Sequence, residues 1–295
     1  MKNYKIWKKS LVFGVLALFV GMSAIPSTGI TVEEKPSLPA SSGNILYVGG
    51  SGPGNYSTIQ AAINVANNGD TIFVYNGTYN ENVKVNKTIN LTGEGKDITI
   101  IYGIDELDDA VKITADLANV SEFTIKNGGI NSAGIRVQAD QCSISDTIII
   151  DNQEKGLWID NSENNTILDN ALSDNSHGIY VDNSDNNMIS NNNVSDNRNN
   201  GIYGVRSNNN DIVNNLVNSN DLIGIYLIQD CDNNEISNNT VKSNEKGGIR
   251  LYKSDDNIIS NNAVSKNGGP TYDGGIVFYY SNNNNIFANS VNSNS

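Results

Sequence analysis

The chain has little of the chemistry from which soft metal centres and disulfide frameworks are made. Among 295 residues there is one histidine, His177, and there are two cysteines, Cys142 and Cys231; Met188 is the only methionine beyond residue 22. Several such side chains must converge to hold a soft metal, so the composition argues against a metal site. Positive charge is also scarce, with 19 Lys and Arg against 32 Asp and Glu and a formal charge of −13. A general nucleic-acid binder carries the opposite sign, and nucleic acid is excluded as a partner. Long apolar runs are missing except at Leu11–Met22, whose 12 residues fall short of the roughly 20 that span a bilayer. What the chain has instead is asparagine, 52 of them, with 27 glycines and only 5 prolines. Such a composition often means disorder, but here Ile and Val recur at fixed spacing and can build a core.

Residues 1–10 hold four lysines and no acid, the apolar run follows, and Ser23 and Ala24 precede Pro26. This is the pattern of a secretory signal segment over residues 1–25, which places the mature chain outside the cytoplasm or in the cell envelope; an uncleaved membrane anchor is the alternative. Residues 26–43, with two of the five prolines within 31–43, lack periodicity and read as a linker.

From residue 141 the chain repeats. Ile144, Ile167, Ile189, Ile212, Ile236, Ile259 and Ile286 are separated by 23, 22, 23, 24, 23 and 27 residues, and five residues after each stands Ile149, Leu172, Val194, Val217, Val241, Val264 or Val291. A third series, Ile135, Leu157, Ile179, Ile202, Ile225, Ile249 and Ile276, follows a glycine each time. Three short apolar segments per repeat predict three short strands, separated by Asn, Asp, Ser and Gly that tolerate left-handed backbone. Asparagines keep the register: Asn165, Asn187, Asn210, Asn234, Asn257 and Asn284 in one column, and Asn152, Asn175, Asn197, Asn220, Asn244, Asn267 and Asn294 in another. Stacked amides of this kind form hydrogen-bonded ladders.

The pattern predicts an all-β fold, a single right-handed parallel β-helix with coils of about 23 residues. A leucine-rich repeat has a similar period but calls for Leu at most core positions. Upstream, Ser57 as N-cap followed by Ile59, Ala62, Ile63 and Ala66 predicts a short helix that caps the first coil. The segments 71–75, 83–91 and 98–102 read as strands of irregular first coils, so residues 44–140 form the cap region and 141–295 the regular repeat. The last coil is incomplete and leaves an open edge, where self-association or a further chain is expected. Cys142 substitutes in an Asn column and Cys231 in a Ser column, four coils or about 19 Å apart, which excludes a disulfide between them.

The stretch from Tyr47 to Ile63 (YVGGSGPGNYSTIQAAI), then Gly69-Asp70-Thr71-Ile72 and Tyr75-Asn76-Gly77-Thr78-Tyr79, resembles the N-terminal cap of secreted microbial β-helix proteins. With the Asn-Asn-x-Ile-x-Asn-Asn coils behind it, the chain is similar to the NosD-type, PbH1-repeat branch of the pectin-lyase-like superfamily, which shares a carbohydrate-binding and sugar-hydrolase domain. The resemblance implies the fold. For function it implies a range, from polysaccharide lyases, hydrolases and epimerases to surface-layer components and a copper-maturation accessory.

Side chains on a strand alternate in and out, so the residues after the third apolar series form an outward column: Arg136, Trp158, Tyr180, Tyr203, Tyr226, Arg250 and Val277. Exposed aromatics flanked by arginines suit sugar rings and uronate carboxylates; the alternative is that the rings only stabilise the sheet as cross-strand pairs. Two positions on, Asp160 and Asp182 stack as neighbours, with the coil at 225 offset by one residue. They are the candidate catalytic carboxylates and the one place where Ca²⁺ could bind, against a bland reading as solvated turn-edge acids; no other cofactor or metal is expected. His177 reads as a turn residue. Eight Asn-x-Ser/Thr sequons occur, about the number that chance predicts in so Asn-rich a chain. The leading reading is a secreted, non-catalytic glycan-binding or structural module with a polysaccharide or envelope glycan as partner. The alternative is a polysaccharide lyase, epimerase or hydrolase working on the same face, and a second alternative is the copper accessory.

Overall fold

The computed structural model describes residues 43–269 and 274–294. The expected signal segment and all but the last residue of the linker lie outside these, as do residues 270–273 of the longest coil. The chain divides at residue 39 into two units, and the second, residues 40–295, carries everything that follows.

Short strands follow one another three to a coil and assemble into three parallel sheets of 11, 10 and 9 strands among the described residues. Each strand pairs with its counterpart one coil away, so Ile144, Ile167, Ile189, Ile212, Ile236 and Ile259 are consecutive register partners in the eleven-stranded sheet. Ile149, Leu172, Val194, Val217, Val241 and Val264 do the same in the ten-stranded sheet. Ile135, Leu157, Ile179, Ile202, Ile225 and Ile249 complete the triangle in the nine-stranded sheet. All three columns are buried and form one continuous aliphatic core. Each such side chain contributes about 1.5–3 kcal/mol on leaving water. The expected parallel β-helix is therefore the observed one, register included.

The corners between strands are turned by left-handed residues such as Asn161 (φ 50°), Asn164 (φ 60°), Asp169 (φ 57°) and Asp174 (φ 57°), which is why Asn and Asp dominate there. Both anticipated Asn ladders exist, and a third joins them: Asn170, Asn192, Asn215, Asn239, Asn262 and Asn289. In it the backbone N–H of Asn192 donates to Asn215 Oδ1 at 2.9 Å, and Asn192 Nδ2 donates to the same oxygen at 3.0 Å and to the Ile167 carbonyl at 2.9 Å. An amide is required because each rung both accepts and donates; the carboxylate of Asp lacks the donor. Cys142 occupies an Asn rung, its backbone N–H donating to Asn165 Oδ1 at 2.8 Å, and Cys231 occupies a Ser rung, accepting from the Ser207 N–H at 3.4 Å. Both thiols are free and buried.

Four local expectations are corrected. The helix is Ile59–Val65 and its N-cap is Thr58, not Ser57: Thr58 Oγ1 accepts from the Ala61 N–H, and Glu81 reaches across to accept from the Ile59 and Gln60 N–H groups at 2.8 and 2.9 Å. The helix still caps the core, with Ile59, Ala62 and Ile63 fully buried. Residues 83–91 are not one strand but two, Val83–Val85 in the nine-stranded sheet and Asn90–Gly93 in the eleven-stranded one, because the chain turns a corner between them. His177 is not in a turn; it opens the strand His177–Asp182. The coil at 225 is not offset within its strand, since Ile228 is in register with both Val205 and Tyr252; the additional residue sits in the turn, where Gln229 and Asp230 are both left-handed (φ 58° and 62°). At the last described coil Ile286, Phe287 and Val291 are half exposed.

Candidate binding face on the nine-stranded sheet

Strand register turns the outward column of the nine-stranded sheet into a continuous line running Lys84, Lys112, Arg136, Trp158, Tyr180, Tyr203, Tyr226, Arg250 and Val277. All six residues expected to form the rail are neighbours in it. Two lysines extend it over the first coils, which the repeat alignment did not reach.

The rings are not fully exposed, as expected from the pattern, but half-buried, because they pack against one another. Trp158 meets Tyr180 edge-on (5.9 Å, 79°), Tyr180 meets Tyr203 (5.2 Å, 67°), and Tyr203 tilts against Tyr226 (5.4 Å, 44°). Cross-strand packing of this kind stabilises the sheet and leaves the rings half-buried. Two residues from the position just before the repeat glycine join the line. The His177 ring stacks on Tyr203 (5.2 Å, 15°) and lies edge-on to Tyr180 at 5.6 Å. Lys155, its register partner one coil earlier, places Nζ 4.3 Å from the Trp158 ring centre and 5.3 Å from that of Tyr180.

Asp160 is a register neighbour of Asp182, but the two do not form an acid pair. Asp160 is buried, not a solvated edge carboxylate. Its Oδ2 accepts from Arg136 Nε at 2.8 Å and from Gln138 Nε2 at 2.6 Å, and its Oδ1 accepts from Asn161 Nδ2 at 2.6 Å. Asp182 is turned to Arg206, 2.6 Å away. Each candidate catalytic carboxylate is thus tied to its own guanidinium. Arg136 in turn is a strut: its guanidinium lies 3.8 Å over the Trp158 ring and 4.0 Å from the buried Asp109. Arg250 at the other end lies 5.8 Å from the ring centres of both Tyr226 and Tyr279.

Burial shapes the protonation of the face. It pushes the His177 imidazole down to about 4, helped by the nearby Lys155 charge, so the ring is neutral at physiological pH. Burial also lowers the Lys155 ammonium and raises the phenol of Tyr203 to about 12, while Tyr180 and the carboxyl of Asp109 move upward for the same reason. His177 Nδ1 and Trp158 Nε1 are buried with no hydrogen-bond partner. Among the described residues no carboxylate lies within salt-bridge distance of Lys155. Among the described residues no group of three or more His, Cys, Asp or Glu is placed to hold a metal ion.

Lys84, Lys112, Asp109, Lys155 and His177 were not among the expected site residues. Lys155 and His177 carried a signal, since Lys155-Gly156-Leu157 and His177-Gly178-Ile179 repeat the same position and so must be neighbours.

The fold and its face define the class of a parallel β-helix protein with a cationic, aromatic sheet surface. The model of the family described as right handed beta helix region matches residues 109–264 and 227–295, and the chain belongs to that family. The pectinesterase family's model matches residues 45–149. No curated protein matches by sequence. Solved structures share the fold at low identity. The Dettilon tailspike protein superposes with a TM-score of 0.62 at 17% identity, covering 83% of this chain, which spans 62% of the tailspike's own length. The A-module of a mannuronan C-5 epimerase from Azotobacter vinelandii gives 0.60 at 17% identity, over 84% of this chain and 96% of the module. A pectate lyase gives 0.63 at 15% identity, over 83% and 79%.

Proposed function

We propose that the protein is a polysaccharide-active β-helix that holds an acidic polysaccharide across the strands of its nine-stranded sheet, outside the cytoplasm. One observation carries the reading. On a chain of net charge −13, a single face gathers Lys84, Lys112, Lys155 and Arg250, with Arg136 held in its ion pair to Asp160, around four consecutive aromatic side chains. A local concentration of cations on an acidic protein selects an anionic ligand by steering and by direct pairing. The step from strand to strand, about 4.8 Å, is close to the length of one sugar ring, so an extended chain meets one coil per sugar. The pectinesterase match and the neighbours titled epimerase and pectate lyase support a polyuronate over a neutral glycan. They favour action on the polysaccharide over the non-catalytic module expected from the pattern.

The test is calorimetric titration of the full chain with oligogalacturonate and oligomannuronate, beside neutral oligosaccharides of equal length. Binding of the uronates that weakens with salt and with Lys112→Glu is the expected result. Equal affinity for the neutral set, or no binding to either, overturns the reading.

A further inference from the structure

We propose that the binding line does not stop at Tyr226 but steps across the strand at Arg250 to the corner where the nine-stranded sheet ends, and that Tyr252, Lys253 and Tyr280 form a further subsite there for an anionic sugar unit. Such a subsite rests on the polysaccharide reading and deepens it with residues that the outward column does not contain. Val277 ends that column without a ring. Tyr252 stands two positions beyond Arg250 on the same strand, in register with Ile228 and Tyr279, and Tyr280 lies edge-on to it at 5.6 Å. Arg250, 5.8 Å from the ring centres of both Tyr226 and Tyr279, links the two sets of rings. Lys253 places Nζ 5.6 Å from the Tyr252 ring centre, and among the described residues no carboxylate lies within salt-bridge distance of it. Asp255, two residues on, is engaged elsewhere: its Oδ1 accepts from the Asn282 N–H at 2.6 Å and from Asn282 Nδ2 at 3.3 Å.

The stability of the fold does not account for Tyr280. The corner after these strands is turned by a left-handed residue, Asn161 and Asn183 in the coils of Trp158 and Tyr180 (φ 50° in both), then Arg206 and Lys253 (φ 49° in both) and Tyr280 (φ 52°) in later coils. Asparagine tolerates this backbone, whereas a tyrosine has no short polar side chain to bond locally and meets the full steric cost. Burial does not offset that cost, because Tyr280 is 77% exposed. A ring that gains neither burial nor a relaxed backbone is explained by contact with a ligand. Its neighbours set what that ligand is. Lys253 is in the adjacent coil, its N–H donating to the Tyr279 carbonyl at 2.9 Å, so a sugar whose C–H face lies on the Tyr280 ring has an ammonium within reach of its carboxylate. Arg206, at the same corner, is taken by Asp182 and leaves Lys253 as the cation of this subsite.

The experiment is calorimetric titration of the full chain, and of Tyr280→Asn and Lys253→Asn in the full chain, with oligouronates of about four and about six units. At one coil per sugar from Trp158, about four units end at Tyr226 and about six reach Tyr280. The native protein should bind the longer oligomer about threefold to tenfold more tightly than the shorter, and either variant should lose that gain. Urea unfolding midpoints of the variants should equal or exceed the native one, since asparagine is at ease in this corner. No gain with length in the native protein, or variants that keep it, overturns the subsite and leaves the polysaccharide reading standing. A Tyr280→Asn chain that unfolds at lower urea than the native chain overturns it too, because the ring is then structural. A native dimer in sedimentation that Tyr280→Asn dissociates assigns the ring to a contact between copies, with the same consequence. Absence of oligouronate binding by the native protein overturns both.

Discussion

Asn215 is the place to test what holds the solenoid together. Its buried amide accepts from the backbone N–H of Asn192 at 2.9 Å and from Asn192 Nδ2 at 3.0 Å, and it donates to the Ile189 carbonyl at 2.9 Å and to Asn239 Oδ1 at 3.0 Å. Asn215→Ala removes all four bonds and strands at least the buried Asn192 N–H, and the Ile189 carbonyl loses its donor. At about 1–3 kcal/mol for each buried group left unpaired, the loss is about 2–4 kcal/mol. Asn215→Asp keeps the acceptor but sets carboxylate oxygens against the Ile189 carbonyl and Asn239 Oδ1. Its cost is therefore at least as large at neutral pH and shrinks as the pH falls towards about 4, where a protonated carboxyl regains a donor. Asn193, exposed in the same coil as Asn192, is the control, and Asn193→Ala should change stability by no more than about 0.5 kcal/mol. Urea unfolding of the three variants, with the slope m checked because a solenoid can open at one weakened coil, measures the differences. If Asn215→Ala matches the control, or Asn215→Asp is tolerated at neutral pH, the ladders are a consequence of stacking and not a cause of it.

Three further outcomes follow. An Ala at Gly201 would bring its Cβ within 2.6 Å of Val217 Cγ1 and 2.7 Å of the Gly224 carbonyl, so Gly201→Ala should cost about 1–3 kcal/mol in the same assay, and a neutral result would mean that the sheets are not in van der Waals contact there. Burial pushes both thiols up to about 11, so a thiol reagent should label neither Cys142 nor Cys231 before unfolding and both after; fast labelling of the native chain contradicts the core described here. His177 is depressed to about 4 by burial and then by Lys155, so the unfolded chain takes up its proton first. Stability is then unaffected by this group above about pH 6.5 and falls by about 3 kcal/mol between pH 6.5 and 4. Unfolding midpoints that show no greater slope in that window for the native chain than for His177→Gln would show the imidazole to be solvated.

Nearly all of the fold was legible in the sequence because a solenoid writes its register as a spacing: the Ile, Leu and Val columns separated by 22 to 24 residues are the core columns of the structure. The cap helix was legible as a face but not to the residue, since Thr58 gains the capping role from a distant Glu81 that spacing alone does not reveal. The third Asn ladder was hidden by the density of asparagine around it. The candidate site was half legible. The outward column of aromatics follows from alternation, whereas the capture of Asp160 by Arg136 and Gln138, and of Asp182 by Arg206, depends on how long side chains fold back over the sheet surface. Lys84 and Lys112 escaped notice because the first coils depart from the repeat, and His177 because a residue beside glycine in an Asn-rich stretch reads as a turn.

A polysaccharide held as proposed lies on the nine-stranded sheet and covers its lysines. Lysine acylation of the full chain with and without an oligouronate, read by mass spectrometry, tests it most directly. Protection at Lys84, Lys112 and Lys155, with unchanged labelling at Lys242 on the ten-stranded sheet, is the predicted result. Protection confined to Lys242, or none anywhere under conditions in which the oligouronate is bound, would contradict it.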